Sequence, residues 1–453
     1  MMMVTTEAAP LGWTALAFVA IAVAAAWLAW RRAWMAPAIV VVTAPFAWYH
    51  QLGPTEISIS KAAFVGVLIG IAIALARDPL RRRRAMWALR SNQAVLPLAA
   101  LVVWSALSAL WAGTPDDAIR DALKVLWYAG VFALTIVSIE EPGDGLKVVT
   151  AMFCAAAVVG IDGAWQHLTS APAGFVAPGG EVLGRIAGTL EGPNQFGAYL
   201  ESVIPSLLAV LLMGRIPRLA MVSGGLVLGL LIADLILTFS RGALWACSVA
   251  ILGILIVYMR QRTARAGDAA PLATLATVLL CVALMTVPIA LLSIGTSGWE
   301  HELWTPTSRD SSDSATRRGQ LWTCAIEVFE RHPIVGVGAG NFADAKEQCP
   351  AELAGSEHFN ANEWYLETAA DLGIVGLLLL LAFLFALLWQ WSDKTLWRRP
   401  VAIGSYAVLI AFILHGVVDD VMPYPKAALS FFVLMGLLRE RTPDPPPPPR
   451  NST

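Results

Sequence analysis

Residues 358–391 read HFNANEWYLETAADLGIVGLLLLLAFLFALLWQW. The first nineteen carry a histidine, three carboxylates and two asparagines, and no charge follows from Leu372 to Trp391. An uncharged apolar run of about 20 residues is the length a helix needs to cross a hydrocarbon layer. Working outward, the rest of the chain repeats this pattern. Of 453 residues, 57% are hydrophobic and 14% charged, where a soluble domain carries about a quarter charged. Mean hydropathy is +0.65. Backbone polar groups in lipid must be satisfied within helices, so the chain reads as an all-α polytopic membrane protein. Apolar runs near 11–30, 34–49, 62–76, 94–112, 124–139, 147–166, 195–214, 219–238, 243–259, 271–293, 372–391, 401–418 and 424–438 predict about 12–13 spans. The first run lacks a basic flank and a small-residue cleavage site, so no cleavable signal is evident.

Alternating these spans gathers Arg31, Arg32, Arg77, Arg81 to Arg84, Arg90, Arg215, Arg218, Arg260, Arg262, Arg265, Lys394, Arg398, Arg399, Arg439 and Arg441 on one side. By the positive-inside rule that side is cytoplasmic, and the N-terminus is external if the first run crosses fully. Four regions follow: a bundle of about ten spans over 1–293, an external loop over 294–365, C-terminal spans over 366–440, and a proline-rich cytoplasmic tail over 441–453. The loop holds eleven acidic and five basic residues, with Cys324 and Cys349. A disulfide between these two requires an oxidising compartment, and spacing leaves it open. Cys154, Cys247 and Cys281 lie within spans, where cysteine packs as a small apolar residue.

Three arginines on the outer side run against the charge bias. Arg241, in LILTFSRGALWACSV, sits between two spans with almost no loop. Arg318 opens the pattern LW..AI.VF, an amphipathic helix ended by His332–Pro333. Arg185 lies in GRIAGTLEGPNQFGAYLE, before a span that Asn194 is placed to cap. Each guanidinium is either an interfacial snorkelling group or a fork of donors for a diphosphate headgroup. Gly336, Gly338 and Gly340 mimic a phosphate-cradling loop, but no strand precedes them, which argues against nucleotide binding. In TPDDAIRDALKVLWY, Thr114 fits an N-cap and Pro115 the first helical position; Asp116 and Arg120 are spaced for an ion pair.

TFSRGALWA, then Arg318 four residues before Trp322 with HPIVGVGAGNF, then NEWYLETAADLGIVG before a leucine-rich span, together resemble the O-antigen ligase family in order and spacing, most specifically over 184–376. The family includes lipopolysaccharide O-antigen ligases, O-antigen and exopolysaccharide polymerases, and protein O-oligosaccharyltransferases. The resemblance implies a GT-C-like fold in the bacterial inner membrane, with the active site facing the periplasm. It implies a glycan transferred from a polyprenyl-diphosphate donor to a hydroxyl of a glycan, lipid A-core or protein, with no cofactor and no nucleic acid. Carried over, Arg241 and Arg318 hold the diphosphate, with Arg185 a further contact. The family's base lies in a His-Asn-x-Tyr-Leu pattern, but here Asn362 and Glu363 precede Trp364–Tyr365–Leu366. Glu363 and His358 are the substitutes, beside Asn362. Glu363 also has capping-box spacing from Asn360.

Two other readings compete. A lipid-linked glycan transporter would use ionisable groups inside spans, for which Asp162, Asp234 and His415 stand out. A non-catalytic partner in polysaccharide assembly would tolerate the missing histidine.

Overall fold

The computed structural model describes residues 11–46, 49–52, 55–169, 185–266, 309–345, 349, 361 and 363–439. The chain is an all-α, multi-pass membrane protein. Its helices are α1 (Leu11–Arg31), α2 (Met35–Thr43), α3 (Ile59–Arg77), α4 (Pro79–Ser91), α5 (Val95–Leu107), α6 (Pro115–Ser138), α7 (Asp144–Thr169), α8 (Pro193–Met213), α9 (Arg218–Leu237), α10 (Arg241–Ala266), α11 (Arg309–Arg331), α12 (Phe342–Ala345), α13 (Trp364–Trp389), α14 (Pro400–His415) and α15 (Pro425–Gly436). One antiparallel hairpin, β1 (Tyr49–Leu52) with β2 (Thr55–Ser58), precedes α3.

Among the described residues eight helices are long and apolar enough to span a membrane, or nine if α4 and α5, bent by 81°, form one broken span. α14 and α15 are shorter apolar helices. The expected span 34–49 instead yields α2, whose nine residues rise only about 14 Å, against a hydrocarbon core of about 30 Å. The expected span 271–293 and the tail 441–453 lie outside the described residues.

Large side chains such as Leu16, Val19, Val23, Leu219, Val222 and Leu226 point outward from α1 and α9, as expected where lipid replaces water. Between helices, small residues permit close approach. A Cβ at Gly66 or Gly70 of α3 would come within 2.2 Å of the Ala22 or Ala26 carbonyl oxygen of α1.

The spanning helices begin or end in two distinct layers. In the first, α6 starts beside the glycine-rich turn, where Thr114 N–H donates to Asn341 Oδ1 at 2.7 Å. α13 starts there too, Trp364 N–H donating to the Gly416 carbonyl at 2.9 Å. In the second, Arg81 of α4 pairs with Glu140 just past the end of α6, and Gln261 of α10 bonds the Trp397 carbonyl. Arg31 and Arg77 lie over the Trp30 ring there, at 5.5 and 5.0 Å. Of the basic residues in the topology expectation, Arg31, Arg77 and Arg81 thus lie in this second layer, while Arg185, Arg241 and Arg318 lie in the first.

Two local expectations are corrected. Thr114 takes the N-cap position of α6, but its hydroxyl bonds Asp344 rather than the helix's first turn. Arg120 pairs with Asp117, three residues back, at 2.6 Å and not with Asp116.

Candidate functional site

The loop Gly416–Tyr424 between α14 and α15 gathers most of the polar groups of the first layer. Arg318 Nη1 donates to the Val418 carbonyl at 3.2 Å, and Nη2 lies 4.0 Å from Asp419 Oδ2. Asn194 Nδ2 approaches the same oxygen at 3.5 Å. Arg185 Nη2 donates to Asn194 Oδ1 at 2.8 Å, and its Nε donates to the Thr238 carbonyl at 2.8 Å. A chain of contacts therefore runs Arg185, Asn194, Asp419, Arg318. Asp419 is 4% exposed. Burial raises its pKa from the ordinary carboxylate range, and the Arg318 guanidinium pulls it back in part.

Asn194 is not the cap of α8. Gly192 holds that position, and Pro193 supplies the fixed φ of a first helical residue. The Asn194 amide is thereby released to bridge Arg185 and Asp419.

Arg241 is the exposed first residue of α10. Gly242 beside it packs on α14: a Cβ there would lie 2.6 Å from His415 Nε2 and 3.2 Å from Val418 Cγ2. Only glycine fits between them. α8, α10 and α14 pack mutually, so the start of α10 at Arg241–Gly242 abuts the same loop that Arg318 bonds.

Beneath that loop His415 Nδ1 lies 2.6 Å from Glu201 Oε2 of α8, with side chains 1% and 0% exposed. His415 Nε2 and Glu201 Oε1 are buried without a hydrogen-bond partner among the described residues. Glu201 and Asp419 are residues that sequence reasoning passes over. The available signal was a carboxylate inside an apolar run, in YLESVIP for Glu201, since an ionisable group at membrane depth is costly unless it has a function.

Glu363 is itself the N-cap of α13, its carboxylate accepting the Leu366 N–H. The expected box with Asn360 at the cap is therefore shifted. Glu363 is 6% exposed; burial raises its pKa, against the Leu366 and Tyr365 amides that favour the charged form. Its neighbours tie α13 to the central loop: the Trp364 ring lies on Gly416, and Tyr365 Oη donates to the Ile413 carbonyl at 2.8 Å. His358, Asn360 and Asn362 lie outside the described residues.

The glycine-rich turn is not an anion cradle. Gly340 N–H and Phe342 N–H donate to the Asp371 carboxylate at 2.7 and 2.8 Å, and Gly338 N–H donates to the Asp371 carbonyl at 2.8 Å. Its donors are already used within the protein. The turn and the first turns of α13 form one unit, which the disulfide Cys324–Cys349 ties to α11. Among the described residues no group of three His, Cys, Asp or Glu side chains is placed to hold a metal ion.

The site thus belongs to a multi-pass, all-α membrane protein with arginines and a buried His–Glu pair gathered in one end layer of the bundle. Residues 226–381 match the family model described as O-antigen ligase. That stretch contains Arg241, Arg318 and Glu363, and the match supports an O-antigen ligase-like family assignment. No curated protein matches the chain.

Proposed function

We propose that the protein transfers or polymerises an oligosaccharide from a polyprenyl-diphosphate donor onto a hydroxyl acceptor, at the periplasmic face of a bacterial inner membrane. The observation that carries this is the gathering of Arg241, Arg318 and the Arg185–Asn194–Asp419 contacts around one loop, in the layer opposite Arg31, Arg77 and Arg81. The Cys324–Cys349 disulfide, formed in that layer, supports an oxidising compartment on that side.

The chemistry asks for little else. Attack of the acceptor oxygen on the anomeric carbon expels a polyprenyl diphosphate, and positioned cations stabilise the charge that develops on it. Arg241, exposed at the head of α10, offers its guanidinium together with the amide donors of that helix's first turn. Arg318 is held by the Val418 carbonyl and Asp419. Asp419 keeps Arg318 from collapsing onto the surface, and Arg185 acts at one remove through Asn194.

The experiment is replacement of Arg241 or Arg318 by Ala in cells that depend on the protein for surface glycan. Glycan assembly stops while the protein still inserts; wild-type glycan in both variants would sink the proposal. The deletion strain separates the branches: single repeat units with no long chains indicate a polymerase, and lipid-linked polymer accumulating unattached indicates a ligase.

One observation favours the transport alternative. Asp234 of α9 is 1% exposed, and both carboxylate oxygens lack partners among the described residues. Movement of labelled lipid-linked glycan across reconstituted vesicles, without a transfer product, would select that reading.

A further inference from the structure

The glycan-transfer reading needs a group to receive the proton of the acceptor hydroxyl. Glu363 commits one carboxylate oxygen to the cap of α13. Elsewhere in the same layer, the Glu201–His415 pair has the components of a base. His415 is fixed by a carboxylate at Nδ1, and Nε2 is buried with no partner among the described residues. A carboxylate accepting from Nδ1–H leaves the lone pair on Nε2, the arrangement by which an acid orients a histidine in hydrolytic triads. Nε2 is aimed into the first turn of α10, against Gly242 and next to Arg241. Burying a carboxylate such as Glu201 away from water costs several kcal/mol, so its presence beside the ring argues for use.

Resting on that reading, we propose that His415, oriented by Glu201, is the general base that accepts the proton of the acceptor hydroxyl. As the oxygen bonds to the anomeric carbon, its proton passes to Nε2. The bond from that carbon to the diphosphate oxygen breaks, and its electron pair leaves on the diphosphate beside Arg241 and Arg318. The imidazolium is held by Glu201 until water removes the proton. Nε2 lies against the first turn of α10, so the step requires the acceptor oxygen to reach it in the substrate complex, where catalytic hydrogen bonds commonly tighten. The charged or titratable groups acting on the pair are Asp419 from the central loop, Arg318 from α11 and, through Glu201, the Cys247 thiol of α10.

The test uses full-length protein reconstituted with membranes of a deletion strain, whose accumulated lipid-linked glycan serves as donor. Transfer is followed in single turnover against pH. His415→Gln slows transfer about 10²- to 10⁴-fold and removes the rise of rate with pH expected of the wild type, while co-purified donor lipid is retained. Glu201→Gln, which keeps a hydrogen bond to the ring, gives a smaller loss. The double variant pairs two neutral amides and guards against misfolding in the single ones. A His415→Gln protein, or a folded double variant, with wild-type rate and pH profile overturns the proposal; so does loss of donor retention in parallel with transfer, which would mark a structural role. If Arg241→Ala and Arg318→Ala abolish transfer while His415→Gln does not, only the base assignment fails. If the arginine variants are active, the transfer reading itself fails.

Discussion

At the residue scale, three positions turn geometry into measurable consequences. Gly242 separates Arg241 from His415, and Gly242→Ala brings a methyl within 2.6 Å of Nε2. Overpacking of this kind costs about 1–3 kcal/mol. The variant therefore melts earlier in detergent and loses glycan transfer more than it loses protein. Glu363 poses the choice between cap and base directly. Glu363→Ser keeps a side-chain oxygen for the cap, whereas Glu363→Ala costs about 1 kcal/mol. If capping is its role, the Ser variant keeps transfer and the Ala variant lowers stability; loss of transfer in a stable Ser variant would return Glu363 to the chemistry.

Asp420 gives a pH prediction with a definite sign. It is 4% exposed, and burial raises its pKa, with the Met422 amide opposing. A carboxyl whose folded pKa lies above its unfolded value of about 3.9 binds protons more tightly when folded. Its contribution to stability is greatest in acid and declines as pH rises from the unfolded value through the folded one. Asp420→Asn removes that decline and leaves a carbonyl oxygen for the Met422 N–H. The melting temperature of the variant exceeds that of wild type near about pH 8 and converges with it near about pH 4. Equal offsets at both pH values would contradict the burial argument.

At the scale of elements, the amphipathic helix, the glycine turn and the start of α13 form one device. Leu321, Cys324, Ala325 and Val328 of α11 are buried with Phe342, Cys349, Ala361 and Ala370. This small cluster stands apart from the main core, so the disulfide contributes a large share of its hold. Closing a loop of 25 residues stabilises by about 3.5 kcal/mol in the chain-entropy account. Cys324→Ser with Cys349→Ser should loosen α11 from Phe342 and Ala370, so that limited proteolysis cuts within α11 while the membrane bundle stays resistant. The kink in α13 belongs to the same device. Gly373 has φ +65°, and a Cβ there would lie 2.2 Å from the Ile334 carbonyl oxygen. No side chain fits that approach, so Gly373→Ala undocks the turn from α13 and takes the Asp371 bonds with it.

At the scale of the whole molecule, the spanning helices share two end layers, and this sets where each group can act. Cysteines placed at the exposed positions Asp116 and Arg83 should react with membrane-impermeant maleimide from opposite faces: Asp116→Cys in intact spheroplasts, Arg83→Cys only after permeabilisation. Labelling of both from one face would overturn the two-layer arrangement. The same arrangement makes the end of α8, α10 and α14 a common floor under Arg241, Arg318 and the loop Gly416–Tyr424.

Much of this was already legible along the chain. Hydropathy alone dictates helices, because lipid offers no partner for an open backbone. Charge bias sorts their ends, because lysine and arginine are costly to translocate. The apolar stripe of α11 follows from the 3.6-residue period, and three arginines stand out by opposing the bias. Other features depend on partners distant in sequence and have no local signature. Asn194 reads as a cap until Arg185 and Asp419 approach it. The missing strand argues against a phosphate loop at the glycines, but that Asp371, some 30 residues on, takes their amides has no local signal. Glu201 and His415 lie 214 residues apart, and each alone is merely a polar residue in an apolar run. Their pairing exists because α8 and α14 pack side by side, where the low dielectric makes an unpaired charge too costly and a paired one worth keeping.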